Sequence, residues 1–152
     1  MASRTAKCGC GRVQITVQDE PALVAACHCD FCQKRTGSAF GLNAYFSQAQ
    51  CVALSGETKV FNGLEVDGVA ASNDKVIDYH FCTTCGSTVY WTVEGSPGNT
   101  VLGIAVGNFV EPGFQSPMRE YHTTLRHGWV VPLASAEQFT GFPEGQNRFQ
   151  GL

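Results

Sequence analysis

The sequence predicts a mainly β fold that carries metal-binding knuckles at its edge. Three observations predict it. Several segments alternate apolar and polar residues with a period of two, helical signals are few, and cysteines recur in close pairs beside the candidate strands. Such strands bury their apolar faces against another layer, so two packed sheets are expected.

Val13, Ile15 and Val17 alternate with Arg12, Gln14, Thr16 and Gln18, the period of a half-buried strand. Residues 42–46, 51–54 and 59–61 are shorter candidates, and residues 65–74 read as a polar loop. Ile77, Tyr79 and Phe81 alternate with Asp78 and His80 and lead into Cys82. Residues 88–93 are β-branched and aromatic and follow Cys85-Gly86. That order places the Cys-x-x-Cys at the tip of a hairpin, as in a zinc ribbon. Residues 101–106 are almost continuously apolar, as in a strand buried on both faces. Helical turns are expected at residues 30–35, after Cys29, and at residues 135–139, with Ser135 as N-cap.

The chain has 152 residues and no low-complexity linker, so residues 1–152 read as one domain. A hydrophobic share of 43% argues against global disorder. The net charge of −3, with no run of Lys or Arg, offers no sequence-visible basic patch for nucleic acid or an anionic membrane. The N-terminus lacks an apolar stretch of signal-peptide length, and no run reaches the ~18 apolar residues of a membrane span. A soluble, cytoplasmic protein is expected, and in a reducing cytosol clustered cysteines serve as metal ligands or reactive thiols.

Seven of the eight cysteines fall into clusters: Cys8-Gly9-Cys10, Cys27-His28-Cys29-Asp30-Phe31-Cys32 and Cys82-Thr83-Thr84-Cys85-Gly86. Two residues between Cys82 and Cys85 let both sulfurs reach one tetrahedral ion, and Gly86 permits a tight turn that aims backbone N–H groups at them. Cys8 and Cys10 are the natural complement. Four thiolates on one zinc ion give a closed, structural centre of charge −2. Cys27, Cys29 and Cys32 place three sulfurs on a second ion and leave a fourth position open, which is the pattern of a catalytic zinc. Three thiolates make that zinc a weak Lewis acid, better suited to holding a substrate thiolate than to activating water.

Alternatives remain at this level. Cys51 would close the second site as a fourth ligand, or it is a buried thiol in its apolar stretch. Cys29-x-x-Cys32 also fits a redox pair. His28, between two ligands, is expected beside the site or pointing away from it, and His80, His122 and His127 are assigned no metal role. Lys34 and Arg35 read either as a solvated turn or as groups that bind a substrate carboxylate or offset the negative site.

The segment Cys27-His28-Cys29-Asp30-Phe31-Cys32-Gln33-Lys34-Arg35-Thr36-Gly37-Ser38-Ala39-Phe40 resembles the signature of the glutathione-dependent formaldehyde-activating family. So do the early Cys8-x-Cys10, the late Phe81-Cys82-Thr83-Thr84-Cys85-Gly86-Ser87, and, more weakly, Glu120-Tyr121-His122-Thr123 with Arg126 and Trp129. The resemblance covers about residues 7–130. It implies a β-tent of packed antiparallel sheets with zinc-ribbon-like knuckles. It also implies a structural site of Cys8, Cys10, Cys82 and Cys85, and a substrate-binding zinc at Cys27, Cys29 and Cys32. The implied activity is that of a carbon–sulfur lyase: glutathione and formaldehyde combine reversibly to S-hydroxymethylglutathione. Ser38 or a backbone N–H near Gly37 would polarise the aldehyde oxygen, or Ser38 serves only its turn. The implied partners are two zinc ions and a small-molecule thiol. A zinc-stabilised protein-binding module with two closed sites is a rival. So is a redox enzyme of the methionine sulfoxide reductase kind, which would need Cys51 as its reactive thiol.

Overall fold

The structure, a computed structural model, describes residues 2–62, 77–94 and 100–143; the stretch 65–74 lies outside them. Three strands, β1 (Ser3–Lys7), β2 (Gln14–Gln18) and β5 (Cys51–Ser55), form one antiparallel sheet in the order β1-β2-β5. The second sheet has eight strands: β3 (Leu23–Cys27), β4 (Gly41–Ser47), β6 (Thr58–Asn62), β7 (Ile77–Cys82), β8 (Thr88–Glu94), β9 (Thr100–Ala105), β10 (Arg119–Tyr121) and β11 (Glu137–Gln138). Their order is β11-β10-β3-β4-β9-β8-β7-β6. The pairings are antiparallel except that β10 runs parallel to both β3 and β11. A short helix, α1 (Asp30–Thr36), joins β3 to β4. This is the expected mainly β architecture of packed sheets with cysteine knuckles.

The pleat of the large sheet sorts its side chains into two cores, because successive residues of a strand point to opposite faces. Val24, Ala44, Phe46, Tyr90, Leu102 and Ile104 meet Ala6, Ile15 and Val17 of the small sheet and the adjoining Val13. The alternate positions Leu23, Ala25, Tyr45, Tyr79, Trp91, Val93 and Val101 form the other core, against Phe31 and Cys32 of α1 and the C-terminal Phe139 and Phe142. The cysteines are sorted with them. Cys8 and Cys82 belong to the first core, Cys27 and Cys32 to the second.

Most expected strands are present, with ends shifted by one or two residues. β3 is a strand the periodicity does not reveal: all five of its residues are buried, so it carries no polar alternation. The helix expected at 135–139 is absent. Glu137 and Phe139 donate their N–H groups to Met118 and Glu120 carbonyls at 2.9 Å, and the segment joins the sheet as β11. β5 also departs from expectation: Val52 and Leu54 are about half exposed and Cys51 is only partly buried at the rim of the first core. Among the described residues no helix is long and apolar enough to cross a membrane.

Gly103 has a specific reason to be glycine. It lies opposite Trp91 of β8 and Tyr45 of β4, and a Cβ there would run into the Trp91 indole ring. The indole fills the space a side chain would take, so overpacking follows any substitution. Gly103→Ala is expected to lower stability by about 1–3 kcal/mol, read as a fall in the denaturation midpoint with an unchanged slope.

Candidate metal centres

The first cluster joins two turns far apart in sequence. Cys8 and Cys10 lie between β1 and β2; Cys82 ends β7 and Cys85 sits in the turn before β8. The second turn is the tip of a β7–β8 hairpin, as the sequence predicts. Gly11 (φ +76°) and Gly86 (φ +74°) close the turns in left-handed conformations, and their N–H groups bond to the Cys8 and Cys82 carbonyls at 2.9 Å. The Val13 and Thr84 N–H groups point at the Cys8 and Cys82 sulfurs, at 3.2 and 3.4 Å. Gly9 N–H donates to Ser87 Oγ at 3.1 Å, which lies 3.3 Å from Cys85 Sγ. The hydrogen bonds to Ser87 hold the Cys85 thiol down at about 5.

All four sulfurs fall within 4.8 Å of one another. The Cys8–Cys10 and Cys10–Cys82 separations are 3.5 and 3.7 Å. A tetrahedral zinc with Zn–S bonds of about 2.3 Å separates its sulfurs by about 3.8 Å. Donor type, number and spacing therefore fit a closed zinc site. Cys8 and Cys82 are buried, whereas Cys10 and Cys85 are exposed.

The second cluster is compact in sequence and lies with the other core. Cys27 ends β3, Cys29 caps α1, and Cys32 sits in its first turns. The Cys32 N–H donates to Cys29 Sγ at 3.3 Å. The three sulfurs lie within 4.8 Å of one another, and no fourth Cys, His or carboxylate joins them among the described residues. Three soft donors so placed fit a zinc ion too. Hydrogen bonds with Cys27 and Cys32 hold the Cys29 thiol down at about 2, outweighing burial, with smaller help from the Cys32 N–H and the His122 imidazole. Cys27 is pushed the other way by its hydrogen bonds with Cys29 and Cys32 and by burial. Cys51 takes no part: it packs against the first core, and its Sγ is 3.8 Å from the Ala53 carbonyl.

A buried charge network holds this second knuckle from behind. His28 and Glu120 are 0% and 1% exposed, and His28 Nε2 lies 2.9 Å from a Glu120 oxygen. The other Glu120 oxygen accepts from Gln138 Nε2 at 2.6 Å, Leu133 N–H at 2.9 Å and Arg126 Nη2 at 3.4 Å; Arg126 also contacts the Gln138 amide. Burial opposes the charge on Glu120. The hydrogen bonds from Gln138, His28 and Leu133, with the Arg126 cation, outweigh it and set the carboxyl below its ordinary value. The His28 N–H donates to the Tyr121 carbonyl at 3.0 Å, and Gln33 Nε2 donates to the His28 carbonyl at 2.8 Å. His28 thus turns its ring to Glu120 and anchors the knuckle.

His122 follows in the left-handed region (φ 55°), edge-on to Phe142, with a buried Nε2 that has no hydrogen-bond partner. His80 stacks on Tyr90, and His127 pairs with Gln33; neither joins a sulfur cluster. Ser38 is exposed and gives its N–H to Thr36 Oγ1, in the turn after α1. Glu120 is the functional residue that spacing does not reveal; its only sequence signal is the Glu-Tyr-His-Thr segment. Lys34 and Arg35 part company. Lys34 is exposed and pairs with Asp30 at 3.1 Å, while Arg35 turns inward over Tyr79 and Trp91.

Two cysteine clusters able to hold metal ions, on a sheet scaffold, define the class. The chain is a member of a particular family within it: residues 3–124 match the family described as glutathione-dependent formaldehyde-activating enzyme, and the chain belongs to that family. Comparison with curated protein sequences gives no significant match. Among solved structures, a crystal structure of a Rhodobacter sphaeroides protein is similar, with a TM-score of 0.48 and 19% identity, over 73% of this chain and 90% of that one.

Removing the Glu120 carboxylate leaves the Arg126 cation, the buried His28 and the Leu133 and Gln138 donors without their partner. Glu120→Ala is therefore expected to cost about 3–5 kcal/mol of stability, measured by chemical denaturation of the zinc-loaded protein. Glu120→Gln, which keeps an acceptor for His28, should cost clearly less.

Proposed function

We propose that this protein is a zinc-dependent carbon–sulfur lyase that joins a thiol, glutathione or another, to formaldehyde and cleaves the adduct again. The observation that carries this reading is the convergence of three sulfurs, Cys27, Cys29 and Cys32, with no fourth protein ligand among the described residues. Family membership supports the formaldehyde and glutathione chemistry. Zinc held by these three cysteines supplies the charge that keeps a substrate sulfur deprotonated near neutral pH. In the forward direction the substrate sulfur adds to the aldehyde carbon. A carbon–sulfur bond forms, the carbonyl π pair moves to oxygen, and the proton lost by the thiol ends on that oxygen. The reaction is redox-neutral and loses no atom.

The chain's own contribution is to position. The Cys32 N–H fixes the Cys29 sulfur. The His28–Glu120 pair fixes the strand-to-helix turn that carries all three ligands. The four-cysteine centre is read as structural, tying the β1–β2 turn to the β7–β8 hairpin. A closed second centre would need Cys51, which sits with the opposite core. We read residues 1–152 as one domain acting in the cytoplasm, where its eight unbridged cysteines stay reduced.

The decisive measurement is exchange NMR of glutathione, formaldehyde and their adduct with zinc-loaded protein. Wild type should accelerate exchange, and Cys29→Ser should return it to background while melting close to wild type. Cys82→Ser should lose the folded state, because a structural zinc contributes folding energy directly. Equal melting of both variants would sink the division of roles. A mild chelator should withdraw one zinc per chain first with the fold retained; simultaneous loss of both ions with unfolding would contradict a labile three-cysteine site.

A further inference from the structure

A cavity of about 300 Å³ opens beside α1, lined by Phe31, Arg35, Phe61, Tyr79, Phe81 and Thr88, with Gly86 at its margin. It lies close to the second cysteine cluster: a Cβ on Gly41 would come within 3.2 Å of Arg35 Nη2 and 3.3 Å of Cys32 Cβ. Among the described residues, four aromatic rings and one cation line the cavity and no carboxylate does.

The Arg35 guanidinium is held firmly, and the charge it faces on its inner side is the Cys32 sulfur. It sits 4.7 Å from the Trp91 ring centre and 5.4 Å from that of Tyr79, and its Nη2 donates to the buried Asn43 Oδ1 at 3.2 Å. Its Nε is buried with no hydrogen-bond partner, and no carboxylate among the described residues pairs with it. A guanidinium offers five donors in a rigid fork that matches a carboxylate. Fixed in place by two rings and an amide, it can take an anion without further ordering cost.

We propose that this cavity binds the flat apolar body of an aromatic carboxylic acid, with Arg35 as the carboxylate anchor, and that this body is part of the thiol the three-cysteine site acts on. The last clause rests on the lyase reading above; the binding site itself does not. Glutathione is the poorer match to this lining. It carries an ammonium group and two carboxylates on a polar peptide, whereas the described residues of the cavity offer one cation, no anion and mostly rings. Phe31 and Tyr79 (5.4 Å between centres) and Phe61 and Tyr79 (6.4 Å) pack on one another and give the cavity an aromatic wall.

The test uses zinc-loaded, full-length protein and calorimetric titration with 3-phenylpropanoate, 3-phenylpropanamide and acetate. The acid should bind saturably, one per chain, and the amide at least about tenfold more weakly, as expected for loss of a charge-assisted pair. Acetate, lacking the ring, should not saturate. Arg35→Met should erase the preference for acid over amide, and Phe61→Ala should weaken both ligands. Should Arg35→Met fail to fold, the acid–amide comparison on unmodified protein still decides. Absence of saturable binding, or equal binding of acid and amide, would overturn the proposal; equal binding would mean that Arg35 only offsets the thiolates. In exchange NMR, 2-sulfanyl-3-phenylpropanoate should outpace glutathione as the thiol, and the reverse order would overturn the substrate assignment. Exchange with glutathione but no binding of the phenyl acid sinks this proposal alone. Binding without exchange by any thiol leaves the carboxylate site standing and removes the lyase reading.

Discussion

The pleat of the eight-stranded sheet is the constraint from which the rest follows. One strand register decides which side chains face the small sheet and which face α1, and a slip of one residue would exchange the two sets. Cys82 ends β7 on the first face, and Cys27 ends β3 on the second. The two cysteine clusters therefore sit with different cores, each built from a turn at a strand end. Neither can borrow a ligand from the other, and their chemistry can differ although both use thiolates.

What makes the second centre specific is the support behind it. Three sulfurs spaced over six residues could adopt many arrangements on a free loop. Here the first ligand is fixed by a central strand, the second by the cap of a helix, and the residue between them by a buried carboxylate. Burying an ion network rarely adds net stability over a well-packed apolar core. Its benefit is geometric: Glu120 accepts from four groups that fit only one placement of His28, Arg126, Leu133 and Gln138.

Much of this was legible in the sequence because short-range spacing carries it. Cys-x-Cys and Cys-x-x-Cys pairs reveal ligands wherever the chain folds, and the strand pattern beside Cys82 and Cys85 places that pair on a hairpin. Elements that depend on distant partners were not legible. β3 reads as an unpatterned apolar run because both its faces are covered, and residues 135–139 read as a helix because their parallel partner, β10, is not adjacent in sequence. Lys34 and Arg35 look equivalent on paper. On a helix, neighbours point about 100° apart, and that rotation sends one to water and the other over Trp91. Glu120 is the clearest limit, since its value comes from a histidine 92 positions away.

That separation has a consequence for biosynthesis. The three ligands of the second knuckle are made within the first quarter of the chain, whereas Glu120, Leu133 and Gln138 are made near its end. Long-range contacts of this kind form late, after the intervening loop has been closed. A nascent chain thus presents Cys27, Cys29 and Cys32 on an unbraced turn long before the brace exists. An ion captured early would be held by ligands still free to rearrange, and only the arrival of β10 and β11 would set its final geometry.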